Sequence, residues 1–412
     1  MNIVNTLRER IRTSQQRLRH IKLHDFARGY PRIYFLSVVI AALGGYGFLL
    51  LFPLAAIVGL NELFEVTRSY QLDIHTVSQA LIWFAVLIFS IAMSHHIFTV
   101  HFELPKGVSL AAEKAPKLFD ILENDKHPLF WPKFSQVLLS EHFELEIYKT
   151  PVTGIPLWCK NTLLIGFPVM QTLPELYFSC MLQRKLLQYT KGRNLLTNWL
   201  YQLQYIWQLY PAAFSQRKLL GEQLISGFFK LYAPFYKSLS VFVAQQEELA
   251  ADTIALGHIN DTDLFKSIES LAVSEYFFHK VYLPMMSKLI KENSAAGANL
   301  QPYSHLPTVF RKTVSPERSK NWLDMFMNEP QSEPGARPTL AQRMSNLGHR
   351  RIRLPDLEDA SAAEQYFEHH YQAAAQLMDN LWRNKLNRLL KRRQKKPKPS
   401  AARSRPKPIP SN

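Results

Sequence analysis

The chain has 412 residues, 47% of them hydrophobic and 12% aromatic, and carries 49 Lys+Arg against 33 Asp+Glu for a net charge of +16. This composition excludes collagen, a disulfide-rich miniprotein and wholesale disorder, and the length suffices for one large or two ordinary domains with a real core. Two cysteines, Cys159 and Cys180, make neither a disulfide framework nor a zinc knuckle, and the excess of cations suggests an anionic partner, either phospholipid or nucleic acid.

Residues 1–32 form a basic N-terminus with a net charge of +6. Ile33 to Asn61 then contains no Asp, Glu, Lys or Arg across 29 residues, and neither does the equally long run from Ile74 to Phe102. A membrane span needs about 20 apolar residues. The runs therefore predict transmembrane helices over 33–60 and 75–102, with a short external loop at 61–74 and a kink at Phe52-Pro53. The stretch is too long for a cleaved signal peptide and shows no small-residue cleavage site. The loop holds Glu62, Glu65, Arg68 and Asp73, while the N-terminus is rich in Arg. The positive-inside rule places the N-terminus and everything after about residue 103 in the cytoplasm, as expected of a protein of the bacterial inner membrane.

Residues 103–350 read as one cytoplasmic domain, mainly helical with one small sheet. Residues 108–125 look helical with a break at Pro116, and 134–140, 143–154 and 161–170 are candidate strands. Thr172-Leu-Pro-Glu175 has the form of a capping box opening a helix to about Tyr189, stopped near 191–193. Aromatics crowd 194–246, among them Trp199, Tyr201, Trp207, Tyr210 and the run FFKLYAPFY at 228–236. They suit a nucleic-acid stacking surface or, on the reading adopted, amphipathic helices packed in a core or on a membrane. More helix follows to about 293, and 294–338 reads as loops with Pro and Gly breakers. Residues 351–396 are a C-terminal helix, continuous from about Ala360, and 397–412 a basic tail with nothing to fold around.

Residues 383–412 hold twelve cations and no acid, whereas 33–382 sum to −2. The charge thus sits at the two ends of a near-neutral body. Basic segments beside a bilayer bind anionic lipid head groups at about 1 kcal/mol per cation, so lipid is the favoured partner over nucleic acid.

The order of pieces resembles a family. A double membrane anchor precedes NTLLIGFPVMQTLPELYFSCML, then an aromatic linker with YAPFY, then Glu248-Leu-Ala-Ala-Asp252, then Arg337-Pro338-Thr-Leu-Ala-Gln-Arg343. Over about residues 105–350 this is similar to the membrane-associated zinc metallopeptidases of the HtpX and CAAX-prenyl-endopeptidase type. The resemblance implies an α+β metallopeptidase-like domain. It also implies a helix carrying His-Glu-x-x-His, whose two His bind zinc and whose Glu activates the metal-bound water. The Glu that aligns with Glu248 would be the third ligand.

The match fails where the chemistry lies. The His-Glu-x-x-His register falls on Arg184-Lys185-Leu186-Leu187-Gln188, and that motif occurs nowhere in the chain. Arg184 and Gln188 stand at the two His positions and Lys185 at the catalytic Glu. A guanidinium has no lone pair to donate, and Lys185 brings a cation where a base is needed. The family's His-Pro is Arg337-Pro338, whereas Arg343 matches a cation of that motif. Glu248 and Asp252 are retained. The resemblance therefore implies a pseudopeptidase without zinc that binds or regulates a peptide or membrane-protein client. The alternatives are an active zinc endopeptidase with unconventional ligands, and a lipid- or nucleic-acid-binding protein acting through its tails. An ion pair from Arg184 or Lys185 to Glu248 is expected in place of the metal; otherwise Glu248 and Asp252 are a solvated helix face. His95, His96 and His101, like Glu364, Glu368, His369 and His370, read as polar surface.

Overall fold

The computed structural model describes residues 23–68, 73–123, 133–190, 195–216, 220–292, 300–328, 337–349 and 360–394. The basic segment before residue 23, the helix stop at 191–193 and the basic tail lie outside them. The architecture is mainly helical with one small sheet, behind two apolar helices.

Those two helices, α1 (Pro31–Arg68) and α2 (Ile74–Thr99), are long and apolar enough to cross a membrane. α1 runs through Pro53 without a break and extends to Arg68, so the helix takes in part of the segment read as a loop. α2 opens on Asp73, whose carboxylate accepts from the Ile74 backbone N–H at 2.7 Å, a favourable charge at a helix N-terminus.

Four strands make a mixed sheet in the order β1-β2-β4-β3: β1 (Val108–Ser109), β2 (Gln136–Ser140), β3 (Leu145–Pro151) and β4 (Cys159–Gly166). β2 and β4 are parallel, while β3 runs antiparallel to β4 with Ile147 opposite Leu163. Two expectations are corrected here. Residues 108–125 are not one helix: Val108–Ser109 pairs with β2, and α3 (Pro116–Glu123) begins at Pro116, where a missing N–H costs nothing. The strand read to 170 stops at Gly166, because Pro168 cannot donate to a ladder, and the chain turns into α4 (Phe167–Thr172).

Thr172 closes α4 instead of capping the next helix. Its hydroxyl donates back to the Pro168 carbonyl at 2.9 Å, the local bond Thr forms within helices. α5 (Glu175–Thr190) starts behind Pro174.

α6 (Leu195–Ala213) and α7 (Leu220–Leu239) form a hairpin along α1. Phe228 stacks on Phe48 with ring centroids 3.8 Å apart, and the Tyr232 and Tyr34 hydroxyls donate to the Ala41 and Leu239 carbonyls. Gly45 permits the approach: a Cβ there would lie 2.8 Å from the Trp207 ring. The aromatics of 194–246 thus build a core, with Trp207, Tyr210, Phe229 and Tyr236 fully buried.

A second core gathers on the sheet, from Leu163, Ile165, Phe178, Leu182, Ile268 and Tyr366 among others. Its helices are α8 (Val241–Leu256), α9 (Asp261–Tyr276), which runs through a π-turn into α10 (Leu283–Glu292), then α11 (Pro302–Thr313), α12 (Pro316–Asn328), α13 (Leu340–Asn346), α14 (Ala362–Phe367) and α15 (Tyr371–Gln394). The loop reading of 294–338 is corrected by α11 and α12. Pro302 and Pro316, which look like breakers, occupy first helical positions. The C-terminal helix is also not continuous: Glu368 adopts φ 45° and separates α14 from α15.

Candidate functional site: a buried ion cluster

α5 and α8 cross beside β3. On α8 the buried residues Ala244, Glu247, Glu248, Ala251, Asp252 and Ala255 recur at helical spacing. The small alanines bring the backbones together, and the Glu248 and Asp252 carboxylates fall on the seam one turn apart.

Arg184 and Lys185 of α5 both reach into that seam. Arg184 Nη2 donates to Glu248 Oε2 at 2.7 Å and to the Glu248 carbonyl at 2.9 Å, while its Nε donates to Asp252 Oδ1 at 2.5 Å. Lys185 Nζ donates to Glu248 Oε1 at 3.1 Å and to Glu146 Oε2 of β3 at 2.9 Å. Arg343 forks onto Asp252 with two bonds of 2.8 Å. Arg337 reaches the other oxygen of Glu146 at 2.9 Å, and the Tyr201 hydroxyl donates to Glu248 Oε1 at 3.1 Å. Glu248 and Asp252 are therefore no solvated face. Both are buried, and every carboxylate oxygen of the pair is bonded.

Burial by itself would push the Glu248 carboxyl up, but the Lys185 and Arg184 charges hold it well below the usual carboxylate range. For Asp252, burial is likewise overcome, by Arg184 and Arg343. Burial opposes charge on Arg184, and the Asp252 and Glu248 carboxylates more than compensate, so its pKa is raised. The Tyr201 phenol is raised by burial first and by the Glu248 charge next.

A cleft of about 240 Å³ opens on the cluster, lined among others by Glu146, Met181, Arg184, Lys185, Glu248 and Arg343. A second cavity of about 200 Å³ lies beyond it, with Tyr148, Lys149, Tyr189 and Tyr205 in its wall. The two share Glu146, Glu248 and Arg337, so the ion cluster is the partition between them.

Of the residues singled out in the sequence, Arg184, Lys185, Glu248, Asp252, Arg343 and Arg337 come together. Gln188 does not join them. It is buried, its amide has no hydrogen-bond partner, and it lies outside the cleft lining. Glu146 and Tyr201 belong to the cluster and were missed.

The residues present do not fit a zinc ion. The groups meeting Glu248 are two cations, which have no lone pair to donate while charged, and a neutral phenol, which is a poor zinc ligand beside the usual Cys, His and carboxylate. Among the described residues no three His, Cys, Asp or Glu side chains converge as a ligand set. Elsewhere, His96 lies 3.8 Å from Glu222, Glu368 pairs with Lys117 at 2.8 Å, and Glu364 pairs with Arg311 at 2.6 Å while capping α14. Cys180 is buried, and burial pushes its thiol up, away from nucleophilic use.

Comparison of the chain with protein-family models, with curated proteins and with solved structures returns no match.

Proposed function

We propose that the chain is a membrane-anchored, zinc-metallopeptidase-like protein whose metal site has been replaced by an ion cluster, and that it binds or regulates a peptide or membrane-protein client without cleaving it. One observation carries this reading: Arg184 and Lys185, in the register of the lost His-Glu pair, are both bonded to Glu248. Hydrolysis by the family's route needs a metal-bound water and a carboxylate base. Here the position of the base holds an ammonium locked between Glu146 and Glu248. The cluster does for the α5–α8 seam what a shared metal would do, and leaves a cleft beside it. In this reading α1 and α2 cross the bacterial inner membrane, the domain lies in the cytoplasm, and the basic termini rest on anionic lipid.

The test is to rebuild the site in the full-length protein with Arg184→His, Lys185→Glu and Gln188→His together. Zinc affinity gained by a folded triple variant, and lost again on adding Glu248→Ala, is the expected result. A folded triple variant with no zinc affinity would contradict the assigned register.

A further inference from the structure

The β3–β4 turn carries an unusual surface. Leu157 and Trp158 are 65% and 69% exposed, and Val152 across the turn is also exposed. Yet the turn is pinned at its base to the apolar helices: Gly154 N–H donates to the Ile97 carbonyl of α2 at 2.7 Å, and the Tyr46 hydroxyl of α1 donates to the Pro156 carbonyl at 3.3 Å. Ile155 is buried in the same core as Tyr46. A second apolar surface lies on α7, where Leu231 is 81% and Phe235 56% exposed. Its height is set by the neighbours of these residues, since Tyr232 meets Ala41 and Leu239 meets Tyr34. Both surfaces thus stand level with the Tyr34–Tyr46 stretch of α1, whose Leu36, Ile40 and Leu43 are themselves exposed.

We infer that these residues form an apolar collar immersed in the bilayer, so that the domain is seated in the membrane and not merely tethered to it. Lipid is the occupant because the collar continues the apolar surface of two helices fit to span a membrane. An exposed Trp beside a Leu is suited to the interface, and Lys230 and Lys237, exposed on either side of the α7 patch, suit head groups by snorkelling. Fully seating a Leu or Phe side chain favours partitioning about tenfold or more on its own.

Glu146 of β3 lies six residues before Val152, which directly follows the strand, at most about 20 Å away. Resting on the reading proposed above, this places the cleft at the membrane surface and selects a juxtamembrane or membrane-embedded polypeptide segment as the client.

The test uses the full-length protein in phosphatidylcholine/phosphatidylglycerol vesicles. Cys159→Ser and Cys180→Ala clear the background, and a nitroxide is placed at Leu157→Cys, Leu231→Cys or, as a water-facing control on α12, Glu317→Cys. Collisions with oxygen should dominate at 157 and 231 and collisions with a nickel chelate at 317. Chelate accessibility at 157 and 231 equal to that at 317 would overturn the collar. A second readout retains both cysteines: brominated lipid should quench wild-type fluorescence more than that of Trp158→Phe, and equal quenching would count against immersion. Neither readout depends on metal or peptidase chemistry, so the collar and the proposed function can fail separately.

Discussion

Arg184 Nε donates to Asp252 Oδ1 across 2.5 Å, at a point where the Asp252 side chain has no solvent exposure. The same guanidinium holds Glu248, so one residue of α5 bridges two buried carboxylates of α8, with Lys185 and Arg343 completing the charge. Desolvating three charges is costly, and such a cluster adds little stability compared with an apolar seam. What it adds is a strong penalty for losing any one member.

Arg184→Ala should accordingly destabilise the protein by about 3–5 kcal/mol, because two carboxylates would be left buried with reduced compensation. Arg343→Ala should cost less, since Arg184 remains on Asp252. Arg337→Ala should cost no more than about 1 kcal/mol, its side chain being 63% exposed. Chemical unfolding of the three variants in one detergent checks the order, and a cost for Arg337 equal to that for Arg184 would contradict it.

Acid should act through the same carboxylates. Their pKa values are lowered in the folded protein, so the stability they contribute is complete above the unfolded value of about 4 and is lost as pH falls through the folded values. Melting temperature should therefore drop steeply below about pH 4. Glu248→Gln, less stable at neutral pH, should show a shallower acid slope. A variant slope as steep as the wild type would place the acid sensitivity elsewhere.

Asp379 of α15 should prove a remote helix cap. α11 has no side-chain cap of its own at Gln301, and the Asp379 carboxylate accepts from the Tyr303 and Ser304 backbone N–H groups at 2.7 and 3.2 Å. Asp379→Ala is expected to cost about 1–2 kcal/mol. Hydrogen exchange localises the effect: protection should fall in the first turn of α11 while α12 is unchanged.

Much of this was legible in the sequence because it depended on local pattern. Two 29-residue runs without Asp, Glu, Lys or Arg could hardly be anything but long apolar helices, and the short apolar stretches around Ile147 and Leu163 announced strands. Prolines misled in both directions. Pro302 and Pro316 start helices, whereas Pro168 ends a strand, and only the neighbouring packing decides which role a proline takes. Thr172 misled for a related reason, since its hydroxyl had a closer acceptor in its own helix. At the site, the spacing of Glu248 and Asp252 and the cations at 184 and 185 were visible. Glu146, Tyr201 and the isolation of Gln188 were not, because they follow from how β3, α6 and α5 meet across long sequence separations.

That Arg184 and Lys185 hold Glu248 in place of a metal is the proposal on which the rest depends. Its most direct test is elemental analysis of the full-length protein purified in detergent without chelator, alongside Glu248→Ala and a peptide-cleavage assay. Neither protein should carry stoichiometric zinc, and neither should cleave the peptide. One zinc per chain in the wild type, lost together with cleavage in Glu248→Ala, would contradict it.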